Sequence, residues 1–187
     1  MSPQRQTPTD MRRSDRAVED EAWIKALLAH APVAVFATTD GDQPFINSNL
    51  FLYDEAQHAI YFHTAQVGRT RSNVEANPKA CCHVFEMGRL LPADEALEFS
   101  VEYAGVMVFG EIRVLENPDQ EERALQLLLD KYAPHLRPGQ HYRPITAEEL
   151  KRTAVFRLDI EEWSAKKKQV EADFPGAFVY PTKSSLK

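Results

Sequence analysis

The chain has 187 residues, 43% of them hydrophobic, which is enough for one domain with a sizeable core. Its formal net charge of −6 argues against general nucleic-acid binding, which needs a basic surface to neutralise phosphates. No long apolar run or basic amphipathic face points to a membrane, and residues 1–20 lack the apolar stretch of a secretory signal.

Residues 1–17 have no periodicity and read as a frayed arm. Trp23, Ala26, Leu27 and Leu28 recur at helical spacing within 18–30, and Pro32 closes that helix. Residues 33–38 read as a strand, Asp40-Gly41-Asp42 as a hairpin turn, 45–53 as a second strand and 59–64 as a third. Such a meander sets the second strand beside the third. A helix over 67–76 ends at Asn77-Pro78. Residues 79–86 form a buried strand with Cys81, Cys82 and His83, residues 88–96 a loop, and residues 99–115 a long β-rich run. Gly105 and Gly110 within that run mark a bulge or a close approach. Asn117-Pro118 opens a helix to residue 132 with Leu125, Leu128 and Leu129 as its stripe. After a proline-bearing loop, Thr146 and Glu149 form the capping box of a short helix. A last strand spans 155–163, and a charged tail begins at Lys166. The expected fold is therefore α+β, mainly β: six antiparallel strands in a closed or half-closed sheet over 18–165, between arm and tail. No Gly-x-Gly-x-x-Gly follows a strand, which argues against a Rossmann domain.

The stretch around residues 59–73 carries most of the chemistry. An apolar strand ends in His63-Thr64, and Gly68-Arg69-Thr70-Arg71 opens a helix. Cationic side chains, a hydroxyl and free backbone N–H groups at a helix start can hold a phosphate. A solvated helix start with surface arginines explains the same residues about equally well. On the second strand, alternation sets Asn47 and Asn49 on one face with Phe45 and Phe51, and Ile46, Ser48 and Leu50 on the other. Paired amides suit the edge of a polar heterocycle, or simply a polar sheet face. His63, at the mouth of this cluster, is a candidate ligand contact or a solvent-facing histidine. His83 reads as core packing. Trp163 and Lys166-Lys167-Lys168 either cover an aromatic cofactor or form rim and surface. The adjacent cysteines cannot easily bridge one another and lack zinc spacing, so reduced thiols in a cytoplasmic protein are expected. No metal-ligand spacing stands out.

Three stretches resemble the FMN-binding split β-barrel family of pyridoxamine 5′-phosphate oxidase-like proteins. They are Phe62-His63-Thr64 with Gly68-Arg69-Thr70-Arg71, Asn77-Pro78, and Tyr103-Ala104-Gly105-Val106-Met107-Val108-Phe109-Gly110. Within the family the chain is most similar to the nitroimidazole-resistance branch. That likeness rests on Glu98-Phe99-Ser100-Val101-Glu102-Tyr103, Arg143-Pro144-Ile145, Leu150-Lys151-Arg152-Thr153 and Trp163-Ser164. The resemblance implies a six-stranded split barrel, an obligate homodimer and one FMN in each of two clefts between subunits. It implies that Asn47, Ser48 and Asn49 line the flavin, and that His63 and Thr64 meet its ring and ribityl side. Arg69, Thr70 and Arg71 then grip the phosphate, and Gly105 makes a further flavin contact.

Two departures count against oxidation of pyridoxamine phosphate itself. An Arg-Lys pair of the oxidases is Arg69-Thr70 here, leaving Arg71 to compensate. Their Trp-x-Arg-x-Arg-like ending is replaced by Val179-Tyr180-Pro181-Thr182-Lys183. The expected function is an FMN-dependent oxidoreductase that passes electrons from a reduced nicotinamide, NAD(P)H, or a protein donor to an electron-poor aromatic such as a 5-nitroimidazole. His63 is the candidate proton donor. The alternatives are a flavin- or haem-binding module without turnover, used for sequestration or sensing, and a barrel that has lost its cofactor.

Overall fold

The computed structural model describes residues 7–180; the first six residues of the expected arm and the last seven of the expected tail lie outside the described residues. Helix α1 (Glu21–His30) starts at Asp20, whose carboxylate accepts from the Ala22 and Trp23 N–H groups. Its buried face is Ile24, Leu27 and Leu28. Strands β1 (Ala34–Asp40) and β2 (Gln43–Asn49) form a hairpin over Gly41-Asp42, with Gly41 at φ +60°, a conformation cheap only for glycine. Next come β3 (Phe51–Asp54), β4 (Ala59–Ala65), α2 (Arg69–Ala76) and β5 (Lys79–Leu91). They are followed by β6 (Ser100–Val114), α3 (Pro118–Tyr132), α4 (Ala147–Leu150), β7 (Thr153–Lys168) and the two-residue β8 (Phe178–Val179). Asn117 caps α3, and Thr146 with Glu149 makes the expected capping box on α4. Among the described residues no helix is long and apolar enough to cross a membrane.

The strands make one antiparallel sheet in the order β2-β1-β5-β6-β7-β4-β3, with β8 added on β5. Its two end strands are consecutive in the chain, joined through Leu50 alone. The sheet must therefore roll on itself. The rings confirm it: Phe36 of β1 stacks on Phe62 of β4 at 4.0 Å, although three strands separate β1 from β4 in the hydrogen-bonded order. Phe62 in turn stacks on Phe156 of β7 at 4.8 Å. These rings, all at or below 1% exposure, form the centre of the core, which α1 joins with its apolar face. Helix α3 covers the outside of β3, β4 and β7 through Leu125 and Ala124 against Leu52, Ala59, Tyr61 and Val155.

Several expectations change. The stretch 45–53 is two strands, not one, because the chain turns at Leu50 from one end of the sheet to the other. Consequently β2 pairs only with β1, and it is β3 that lies beside β4. Residues 88–91 belong to β5 rather than to a loop, past a register shift between Met87 and Leu90. Lys166, Lys167 and Lys168 are in β7, not in a tail, since their backbones pair with Gly105, Ala104 and Tyr103 while the long side chains keep their charges near solvent. At the other end, Ala17 of the expected arm bridges to Lys166. The division at Leu50 and the addition of β8 raise the six expected strands to eight, and the hydrogen-bonded path is not closed.

The Leu50 corner interrupts the ladder, so its backbone groups need partners from elsewhere. Helix α3 supplies them. The Tyr132 hydroxyl accepts from the Phe51 N–H at 3.0 Å and donates to the Pro32 carbonyl at 2.9 Å. Lys131 Nζ donates to the Ala31 and Phe51 carbonyls, both at 2.9 Å, and sits 3.9 Å from the Phe51 ring centroid. Burial lowers the Lys131 pKa to about 8. Tyr132→Phe leaves the Phe51 N–H and the Pro32 carbonyl without this partner and should cost about 1–3 kcal/mol, read as a lower denaturation midpoint.

A second clamp holds the end of the described chain. Arg89 makes a two-pronged pair with Glu102, both bonds at 2.8 Å, and also donates to the Ala172 carbonyl; the Val170 N–H donates to Glu102 at 3.0 Å. The Arg89 hydrogen bond, then the Val170 N–H, hold the Glu102 pKa down at about 2. A lowered carboxylate pKa stabilises the fold above the ordinary value of 4.5 and loses that contribution as pH falls toward 2. The amide-exchange protection within 170–179, taken relative to the intrinsic rate at the same pH, should therefore fall on acidification from pH 5 to pH 2–3, and Glu102→Gln should show the low protection already at pH 6.

Candidate active site

Beside the Leu50 corner, a cleft of about 460 Å³ opens between the end of β4 and helices α3 and α4. Leu125, Leu128 and Leu129 form one wall, Leu50 and His63 the other, and Tyr142 and Ile145 lie over it. Residues 59–62 of β4 are buried under the core and α3, whereas His63 is the first residue of the strand to emerge. Its ring edge reaches solvent, but the leucine walls withhold water from the charged form and lower its pKa below the usual 6.5. At the rim, Arg143 pairs with Glu149 at 2.9 Å in two parallel bonds. The Tyr132 hydroxyl that secures the corner also places the Tyr132 ring in the cleft wall.

From His63 the chain runs through Gln66, whose amide donates to the Leu150 and Thr153 carbonyls, into α2. Gly68 is the N-cap residue of α2; no side chain caps the helix, and the place where a Gly68 Cβ would stand is open space. The first N–H groups of α2 thus face outward without an intrahelical partner, at the positive end of the helix dipole. Asn73 anchors α2 by donating to Thr38 on β1 at 2.9 Å.

The structure brings together part of the set singled out from sequence. Asn47 on β2 donates to the buried Thr70 of α2 at 3.4 Å, so the asparagine strand and the helix start meet through α2 packing and not through strand pairing. Arg69 lies outside, 5.6 Å from the Phe45 ring centroid. Asn49 presents a buried side-chain N–H group with no hydrogen-bond partner. Ser48 is exposed on the other face of β2, and the Thr64 hydroxyl donates to the Ala65 carbonyl. Arg71 is turned away: it pairs with Glu75 at 2.7 Å and with the Gln66 side chain, so its charge is already matched.

Gly105 and Trp163 stand apart from this cluster. Gly105 pairs with Lys166, and His63 with Val155, near opposite ends of β7 and roughly 35 Å apart along an extended strand. Trp163 packs edge-on against His58 at 5.0 Å. His83 is not core: with Phe85 and Met87 it lies on the outer face of β5, while Cys82 and Val84 are fully buried on the inner face. The sequence over 81–87 did not carry that signal, because apolar residues stand at both odd and even positions, Cys81, Phe85 and Met87 on one face and Cys82 and Val84 on the other. The leucine stripe of α3 and Arg143, likewise, became cleft residues only through the packing of distant segments.

The fold is similar to that of flavocytochrome Anf3 from Azotobacter vinelandii, with a TM-score of 0.76, 23% identity, and coverage of 95% of this chain and 86% of the other. It is also similar to an FAD and heme binding protein from Mycobacterium smegmatis, at TM-score 0.74 and 21% identity over 83% of this chain and 74% of that one. A candidate 5-nitroimidazole antibiotic resistance protein from Bacteroides thetaiotaomicron follows at TM-score 0.67 and 15% identity, covering 81% and 86%. No curated protein matches the chain in sequence. Residues 20–167 match the family profile described as pyridoxamine 5′-phosphate oxidase, and the chain belongs to that family.

Proposed function

We propose that this protein binds a flavin nucleotide, FMN, and serves as a flavin-dependent oxidoreductase for an electron-poor aromatic such as a 5-nitroimidazole. The observation that carries the reading is the meeting of β2 with the start of α2. The open, uncapped helix start beside Arg69 suits a phosphate, and the partnerless Asn49 amide suits a heterocycle bearing carbonyl and nitrogen acceptors. The residues present fit the group. The names of two structural neighbours, a flavocytochrome and an FAD and heme binding protein, support flavin binding in this fold. A bound flavin supplies the electron transfer; electrons come from NAD(P)H or a protein donor.

The chain's own residues do the rest. Arg69 and the α2 amides hold the phosphate, without Arg71, whose charge Glu75 already meets. The leucines of α3 and Leu50 exclude water and seat a flat apolar substrate. His63 holds a proton at the edge of that cleft. Trp163 can border the same cleft only from a second copy, so the reading includes a homodimer, placed in the cytoplasm.

Purified protein incubated with FMN and passed through gel filtration should retain flavin absorption near one per chain. Arg69→Ala should weaken FMN retention much more than riboflavin retention. A chain that retains no flavin sinks the proposal. With the depressed His63 pKa, the protonated ring is populated only below about pH 6.5. Nitroaromatic turnover should therefore rise as pH falls through that region, and His63→Gln should flatten the profile while flavin stays bound.

A second reading, a flavin- and haem-binding module without turnover, is favoured by the same two neighbours' names and by an apolar hollow at His83, on the outer face of β5–β6–β7. Tight uptake of both groups with no consumption of reduced nicotinamide under any acceptor would select it.

A further inference from the structure

Helix α3 borders a second hollow at its other end. Its C-terminal half walls the cleft with His63, and its first turns border a cavity of about 240 Å³ on the same outer face of the sheet. Gln57, Tyr61, Leu115, Gln120, Arg123 and Arg157 line that cavity. The wall thus carries two guanidinium groups and, among the described residues, no carboxylate. The volume is below that of ordinary small-molecule sites and suits a compact group.

Strand pairing sets up this charge. Tyr61 of β4, Arg157 of β7 and Arg113 of β6 stand directly across from one another. Arginines placed opposite each other repel, and one carboxylate is divided between them. Asp159 lies 2.6 Å from Arg157 Nε and 3.3 Å from Arg113 Nε. Glu111, the residue opposite Asp159, makes no ion pair with either arginine among the described residues. On the helix side, Arg123 meets Asp54 through Nη2 at 2.8 Å, which uses one of its three nitrogens. Tyr61 is only 4% exposed, and its hydroxyl accepts from Arg157 Nη1 at 2.9 Å. Its own proton has no acceptor among the described residues, which leaves a buried donor at the cavity wall. Asp159 and the Gln57 carbonyl, at 3.3 Å from Nη2, hold the Arg157 fork in place before any ligand arrives.

We propose that this cavity binds a phosphate group, free or as the end of a small phosphate monoester, with Arg123, Arg157 and the Tyr61 hydroxyl as its donors. Arginine forks match phosphate oxygens, and the first turn of α3 adds the positive end of a helix dipole. The site shares no residue with the start of α2, and the flavin reading is not needed for it.

The test is isothermal titration calorimetry of the full-length protein at low ionic strength, with inorganic phosphate in one series and glycerol phosphate in the other. Arg69→Ala removes the competing cation at the start of α2. Saturable binding should persist in that variant, and the tighter of the two ligands names the source. Gln120→Glu sets a carboxylate in the cavity wall at an exposed position where a first helical turn favours an acidic residue. It should weaken binding about tenfold or more while the melting temperature holds. Tyr61→Phe, which removes only the hydroxyl, should weaken binding as well. A wild type that binds neither ligand saturably overturns the proposal. So does binding that Arg69→Ala abolishes, or that Gln120→Glu leaves unchanged.

Discussion

The structure depends on one covalent constraint: the two edges of the sheet are consecutive strands joined at Leu50. Two edges that close in space cannot stay flat, and the sheet has to roll around whatever fills its interior. Phe36, Phe62 and Phe156 fill it, in stacked contacts that join strands far apart in the hydrogen-bonded order. The corner itself is costly, because the backbone leaves the ladder there. Tyr132 and Lys131 meet that cost with hydroxyl and ammonium groups from the last turn of α3. Fold closure and helix placement are thus one interaction.

The same interaction makes the cleft. With the end of α3 fixed at the corner, its leucine stripe must lie over the point where β4 emerges from the core, and His63 is the residue found there. The rolled sheet also packs α2 against β1, and that brings Asn47 to Thr70 although their strands are not neighbours. A phosphate-sized cationic helix start, a polar amide edge and an apolar cleft with one histidine then follow one another along the molecule.

Membership of the pyridoxamine 5′-phosphate oxidase family does not decide among the chemistries this architecture hosts. Two features of this chain bear on the choice: the pairing of Arg71 with Glu75, which among the described residues leaves Arg69 as the unpaired cation at the helix start, and the outward face of β5–β6 around Gly105. The first narrows how an anion can be held. The second is an apolar surface that sets His83 beside Gly105, the position at which the resemblance implies a further flavin contact.

The sequence by itself determined the local units. Gly41, Asn117 and the Thr146–Glu149 box fixed where elements begin and turn, because caps and positive φ depend on near neighbours only. The apolar runs gave the strands, and the cluster after His63 marked the helix start at which a phosphate fits. It could not show that residues 45–53 break at Leu50, since alternation continues unbroken across the corner and the break is stabilised from Tyr132, eighty-one positions away. Nor could it show that Arg71 is matched by Glu75, that Lys166–Lys168 continue a strand, or that His83 faces out of the sheet beside a glycine. Those outcomes depend on which distant backbone supplies a hydrogen bond or leaves a hollow, and only the tertiary structure sets such partners.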